Sequence, residues 1–509
     1  MLSSQRIKVI SRAVITAGSL VFLLASSCGS KGPQRITILH TNDIHGHFVP
    51  ETATWLDDRP PVGGFAALDH YIRQARTQAP NNLLLDAGDL MTGNLICDME
   101  YKGAEGGALV EMMNMIGYDG MAYGNHEFDK IATNAKNLAK IADFPIICAN
   151  LVDSSGHNYA DSKYKIYDCQ GLKVGVIGLT YHQMVGMAHP NNLMGFYTIE
   201  PAGVVNGLVA EIDAPTDLII VLSHLGYDND VELAKHIKNV DLIIGGHTHK
   251  RIETPELVNG VLIVQAGSYA RNLGILELTM AGDTVQSFSG KLINVLATNI
   301  DPQPELQAFV DSFATSIDKE YGIEIGQLVT DWNSEYQAES NVGNWVTDAI
   351  RFAVKTDVAF INSGGIRKDI PAGPVTIRDI AEMLPFQNYI ETFDCTGEEL
   401  MTILTENARA EGLQTHGTLQ VSGVTYSWKK QDNDVSIVEV LVGGATLQKD
   451  KIYKIASIDY VNVNHAEYFK FEPKGLINTG RQISELVIEA VRNAKSINAK
   501  VEGRMRKVE

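Results

Sequence analysis

Five short polar fragments, Asp43-Ile44-His45, Asp86-Ala87-Gly88-Asp89, Gly124-Asn125-His126-Glu127, Ser223-His224 and Gly246-His247-Thr248-His249, each interrupt or follow a stretch that reads as buried strand. The strands feeding them read as residues 35–39, 83–85, 120–123, 218–222 and 242–244, apolar runs bounded by Gly, Asp and Asn. In layered α/β proteins the loops leave a sheet at the carboxyl ends of its strands, where polar atoms can point inward. Any one fragment alone reads as a turn or a cap. Five in succession predict convergence on one rim and a two-metal hydrolytic site.

Neighbouring divalent ions repel, so such a site needs a shared anion. Asp89 is the bridging candidate; Asp43, His45 and His249 are assigned to one ion, and Asn125, His224 and His247 to the other. Two carboxylates against two divalent cations leave a formal charge of about +2, suited to a dianionic phosphate and to a metal-bound hydroxide near neutral pH. His126 and Asp129 are three apart, so a helical turn lets the carboxylate hold the imidazole tautomer. His126 is read as acid or charge stabiliser for the leaving oxygen, and Asp129 as its orienter. Asp86 is the alternative to Asp89, but it directly ends an apolar run. His47, His182 and His189 sit near site loops with nothing to fix their geometry, and His70, His157, His236 and His416 receive no role. Mixed imidazole and carboxylate donors fit Zn, Mn, Fe or Co better than Ca, without choosing among them.

The order TNDIHGH, GD, GNHEFD, SHLG, GGHTH resembles the calcineurin-like metallophosphatase domain of the 5′-nucleotidase family, and the resemblance covers nearly all of the chain after residue 34. It implies a four-layer α/β sandwich, two mixed β-sheets flanked by helices, followed by a smaller α/β substrate-binding domain. It also implies the metal ligands and the His126/Asp129 pair named above. Asn341-Val342-Gly343-Asn344, Asn362-Ser363-Gly364-Gly365-Ile366-Arg367 and Pro385-Phe386-Gln387-Asn388 look like the family's substrate-binding segments. Carried over by position, Asn362 and Arg367 contact a nucleotide, with Gly364, Gly365 and Asn388 beside them, and Phe386 forms one side of a base-stacking clamp. Glycines allow close backbone approach, and Arg offers a planar fork for phosphate. Tyr460 takes the place of the second stacking ring. Relatives usually carry an Arg shortly before the NxGN segment, where this chain has Glu335-Tyr336-Gln337-Ala338-Glu339-Ser340. The Asp usual after the second ring aligns with Ala466, one residue before Glu467.

At 509 residues the chain is long enough for two domains or more. Its 42 basic against 61 acidic side chains, net −19, disfavour a nucleic-acid polymer as partner. Arg6, Lys8 and Arg12, an apolar stretch over residues 13–24 and Ala25-Ser26-Ser27-Cys28 have the layout of a secretory signal ending at a lipidated Cys. A cleaved signal with an incidental Cys is the alternative. The expected division is a signal peptide over 1–27, lipidated Cys28 and tether over 28–34, the metallophosphatase domain over 35–300, a linker helix over 301–321 and the substrate-binding domain over 322–509. Glu305 to Tyr321 reads as an exposed amphipathic connector. Cys97, Cys148, Cys169 and Cys395 have no CxxC spacing and define no disulfide framework.

The expectation is an enzyme of the bacterial cell envelope that uses two divalent ions to hydrolyse phosphomonoesters, nucleoside 5′-monophosphates first. UDP-sugar pyrophosphohydrolysis and 2′,3′-cyclic phosphodiester cleavage use the same centre on other bonds. A nucleotide-binding surface protein without turnover is the rival of another class, and it needs no oriented acid.

Overall fold

The computed structural model describes residues 32–182, 192, 195–413 and 416–508. Cys28, the signal-like segment before it and His189 lie outside the described residues.

Alternation along the strands builds the first domain in layers. In the strand Gln34–Thr41, Ile36 and Ile38 enter one buried cluster and Leu39 another; in Asn82–Asp86, Leu83 and Leu85 part from Leu84 in the same way. A strand with both faces buried must be covered on both sides. Its sheet orders Thr284–Asn294, Asn272–Ala281, Gln34–Thr41, Asn82–Asp86, Gly120–Ala122 and Ile146–Ile147. The second sheet orders Tyr164–Cys169, Leu172–Leu179, Leu218–Ser223, Leu242–Ile244, Val261–Val264 and Glu256–Val258. Ile36, Leu85, Val174, Ile220 and Leu242 share the cluster between the two sheets. Outside the first sheet pack the helices Phe65–Gln78, Gly107–Ile116 and Ala132–Ile141; outside the second pack Pro201–Ile212 and Tyr227–His236. The result is the expected four-layer sandwich.

Register sets the rim. Gln34–Thr41 runs parallel to Asn82–Asp86 with Thr41 opposite Asp86, and Asp86 lies opposite Met121 on the next parallel strand. In the other sheet Leu179 pairs with Ser223 and Leu222 with Ile244, again in parallel. Carboxyl ends therefore align within each sheet, and the polar fragments leave from them together.

The second domain has its own core around a five-stranded sheet ordered Leu419–Ser422, Val358–Asn362, Ile452–Ile458, Tyr389–Thr396 and Ile477–Gln482. Helices Asn341–Val354, Ile377–Met383, Gly397–Leu413 and Ile483–Ala494 accompany it. The NxGN segment opens the first of these: Ser340 Oγ accepts Gly343 N–H at 3.0 Å, and Asn341 Nδ2 donates to Asp331 O at 2.8 Å. Its asparagines thus hold local structure.

The connector differs from expectation. Helix Pro304–Tyr321 is amphipathic, but Leu306, Val310 and Ile317 are buried in the same cluster as Phe65 and Met112 of the first domain. A flank of the helix meets the second domain, where Arg378 Nη1 donates to Asp318 Oδ1 at 2.6 Å. Periodicity marked a buried face; it carried no information about which core would take it.

Candidate metal centre and cleft

Five of the seven proposed ligands sit in left-handed backbone: Asp43 (φ +52°), His45 (+52°), Asp89 (+59°), His247 (+73°) and His249 (+54°). Non-glycine residues rarely adopt this region, and where they do the strain marks a functional loop. Glycines let these loops cross. Gly88 is itself left-handed (φ +93°), and a Cβ on Gly124 would meet Asp89 Oδ1 at 2.1 Å.

The imidazoles are preset as ligands. His45 Nδ1 donates to Met91 O at 3.0 Å and Thr92 O at 2.9 Å, and His224 Nδ1 donates to Ala87 O at 2.7 Å. A carbonyl only accepts, so both rings keep the proton on Nδ1 and turn Nε2 to the cluster. For His224, burial is outweighed by the Asp89 and Asp43 carboxylates, which raise its pKa to about 10, so its Nε2 gives up a proton when a metal ion binds. His45 Nε2 lies 3.0 Å from His249 Nε2 and 3.8 Å from both Asp43 Oδ1 and Asp89 Oδ2. Burial and the Arg367 charge hold His45 well below the usual imidazole range; burial and His224 push His247 down to about 3. Both stay neutral, the form that ligates.

Three groups of donors result, each within 4.8 Å: Asp43, His45 and His249; His45, Asp89 and His126; Asp89, His224 and His247. Asp89 belongs to two of them. Asn125 Oδ1 joins the last set, 2.9 Å from His247 Nδ1. His224 Nε2 is fully buried and approaches Asp89 Oδ2 to 3.0 Å, yet it is out of alignment for a hydrogen bond and has no other partner. These buried donors crowd on a common point, and nitrogen with carboxylate and amide oxygen suits divalent ions. The residues fit the metals that the fold implies.

Beside them His126 Nδ1 meets Asp129 Oδ2 at 2.5 Å across one 3₁₀ turn. Burial would lower His126, but the Asp129 and Asp89 carboxylates outweigh it and raise its pKa. Asp86 is engaged elsewhere, accepting Thr41 Oγ1 at 2.6 Å and Gly88 N–H at 2.9 Å. His47 stacks on Tyr269 with centroids 4.2 Å apart, and the His182 ring neighbours Tyr181.

Several supporting residues were missed from the sequence. Glu127, buried at 1% exposure, accepts four backbone N–H groups: Leu90 at 2.8 Å and Met91 at 3.2 Å on Oε1, Gly124 at 2.7 Å and Asp89 at 3.1 Å on Oε2. It sutures the Asp89 loop to the Asn125 loop. Asn42 Nδ2 donates to Asp43 Oδ2 and to Gly267 O, both at 2.6 Å. Tyr181 stacks on His247 at 4.3 Å. A buried acid next to His126 was a readable hint for Glu127; Asn42 and Tyr181 left none.

From the second domain, Arg367 Nη2 donates to His45 Nε2 at 3.0 Å, and the Phe386 ring lies 6.0 Å from that of His126. Asn362 ends the strand Val358–Asn362, and a Cβ on Gly365 would meet its Oδ1 at 3.0 Å. Gly364 is less constrained, its nearest contact being Tyr336 at 3.4 Å. Tyr460 is half-buried, and burial followed by Glu467 raises its hydroxyl pKa. The main-chain carbonyl of Asn388 accepts Ile483 N–H at 3.0 Å at the start of the helix Ile483–Ala494. Cys97, Cys148, Cys169 and Cys395 are buried and unpaired.

Comparison with known proteins matches both halves of the chain. Residues 36–251 match the calcineurin-like phosphoesterase family, and residues 322–472 match the 5′-nucleotidase C-terminal domain. A 5′-nucleotidase of Vibrio cholerae is 29% identical over 507 residues, covering 88% of this chain and 88% of that protein. A trifunctional nucleotide phosphoesterase of Bacillus subtilis is 27% identical over 93% of this chain, which spans only 35% of the Bacillus protein. The crystal structure of a 5′-nucleotidase precursor from Thermus thermophilus superposes with a TM-score of 0.83 at 28% identity, covering 94% of this chain and all of that one. With both matches in sequence and the donor cluster lying in the first, the chain is an enzyme of the 5′-nucleotidase family, a calcineurin-like phosphoesterase domain followed by a 5′-nucleotidase C-terminal domain.

Proposed function

We propose that this enzyme hydrolyses phosphomonoesters, nucleoside 5′-monophosphates first, in the cleft between its two domains. The observation that carries the reading is Arg367, a second-domain guanidinium whose Nη2 reaches His45 Nε2 at 3.0 Å among the metal donors of the first. A planar cation there matches a phosphate held at the same point. Asp43, His45, Asp89, Asn125, His224, His247 and His249 would hold two divalent ions. When bound, these supply Lewis acidity and activate water at neutral pH. Arg367 then neutralises phosphate oxygens, His126 gives a proton to the departing alkoxide from Nε2, and Asp129 keeps the other ring proton on Nδ1. Phe386, beside His126, offers a face on which a base stacks without its edge being read.

The envelope address rests on Arg6, Lys8, Arg12 and the apolar run before Cys28. A lipid at Cys28 would tether the enzyme to a membrane, and Cys28→Ser should release it to the soluble envelope fraction. The name of the Bacillus relative, trifunctional nucleotide phosphoesterase, favours a broader reading that includes other nucleotide phosphoesters. One experiment separates these: strip the metals, restore each divalent ion in turn, and measure phosphate release from AMP, UMP, UDP-glucose and 2′,3′-cyclic AMP. Fastest turnover on the monophosphates supports the proposal. A preference for the diphosphate sugar or the cyclic ester replaces it with the broader reading, and tight AMP binding without metal-stimulated release replaces it with capture alone.

A further inference from the structure

Thr92 is a β-branched residue held at φ +67°, in the same left-handed region as the ligands although no ligand role falls to it. A branched side chain is strained there, so the surrounding contacts must fix it. Two contacts do so, and they lead in different directions. Its carbonyl accepts His45 Nδ1 at 2.9 Å, and its hydroxyl donates to Asp129 Oδ2 at 2.6 Å, 37 positions along the chain. The same Asp129 oxygen meets His126 Nδ1 at 2.5 Å.

The consequence for Asp129 is orientation. Its carboxylate is 19% exposed, and a carboxylate on a short side chain at a cleft edge can turn toward water. With Thr92 and His126 on one oxygen, the carboxylate plane is pinned so that this oxygen faces the imidazole. The ring then keeps its proton on Nδ1 and turns Nε2 toward Asp89, which it approaches to 4.0 Å. Met91 O also accepts His45 Nδ1, at 3.0 Å, so the His45 tautomer has a second support. Asp129 has no second hydroxyl donor among the described residues.

We propose that Thr92 is a positioning residue for the leaving-group step: its hydroxyl holds Asp129, and through Asp129 it holds the proton-donating geometry of His126. This rests on the phosphomonoesterase reading, in which His126 Nε2 gives its proton to the ester oxygen as the P–O bond breaks. Proton donation matters most when the departing oxygen is a strongly basic alkoxide and least when it is a stabilised phenolate. Thr92 should therefore control how steeply the rate depends on the leaving group.

The test compares AMP, with an alkoxide leaving group, and p-nitrophenyl phosphate in wild type, Thr92→Val, Thr92→Ser and Thr92→Gly, each at verified metal content. Valine keeps shape and carbonyl but lacks the hydroxyl; glycine also lacks it and is relaxed at this φ, so its fold is safe. Both should lower kcat for AMP about 10- to 30-fold with KM little changed and lose less than about 3-fold on p-nitrophenyl phosphate, while serine restores AMP turnover. Equal losses on both esters, unchanged AMP turnover in Thr92→Val, or losses that track a fall in bound metal would overturn the assignment. A wild-type enzyme that releases phosphate from neither ester with metal restored would instead remove the functional reading beneath it.

Discussion

Arg367 Nη2 and His45 Nε2 are hydrogen-bonded at 3.0 Å across the two domains, joining a residue of the nucleotidase half to a donor of the metal cluster. Neither half of the chain can complete this contact alone. Chemistry and recognition are assigned to different domains, and the guanidinium is where they meet.

Arg367→Ala should leave metal content unchanged and raise KM for AMP about 10- to 100-fold, because a charge-assisted contact to phosphate is lost while the ligands remain. Arg367→Lys should recover only part of the loss, since a point charge lacks the planar fork. Steady-state kinetics alongside metal analysis checks both.

Glu127→Gln puts an NH₂ group where four backbone N–H donors now find a carboxylate. A stability loss of about 1–3 kcal/mol is expected from the mismatched buried donors. Metal affinity should fall about 10- to 100-fold as the Asp89 and Asn125 loops loosen, although no ligand has changed. Denaturant unfolding of the metal-free protein and metal titration measure the two effects separately.

His40 supplies a pH dependence away from the donors. It is 2% exposed, its Nδ1 has no hydrogen-bond partner, and burial lowers its pKa from 6.5 to about 4. The unfolded chain therefore takes the proton first, so the contribution of His40 is complete above pH 6.5 and is lost as pH falls toward 4. The loss approaches about 3 kcal/mol. Urea unfolding of the metal-free protein at pH 7.5, 6 and 5 should show a steeper decline for wild type than for His40→Leu.

How much of this was legible in the sequence follows from what each residue touches. Asp43, His45, Asp89, Asn125, His224, His247 and His249 were readable because each leaves the end of an apolar strand, and parallel register carries strand ends to one rim. Thr92 and Asn42 were not, because they act through partners 37 and 225 positions away that no local spacing records.

Tyr336 stands in the stretch where relatives usually carry an Arg. The residue is 59% exposed, its ring covers Gly364 and Gly417, and burial followed by the Glu467 charge raises its hydroxyl pKa against the opposing Arg367 charge. With one guanidinium and a carboxylate on this wall, a second phosphate gains little. Tyr336→Arg should raise kcat/KM for ADP relative to AMP about 10-fold, read as phosphate release in parallel assays.

Asp89 belongs to two of the donor groups and would be shared by two divalent ions, and titrating the stripped enzyme with divalent metal while following phosphate release from AMP tests this most directly. Activity should be absent in the stripped protein and rise to a plateau at two equivalents per chain, and Asp89→Asn should stay inactive at the same metal content. Full turnover in the stripped enzyme, or wild-type rates from Asp89→Asn at matched loading, would contradict it.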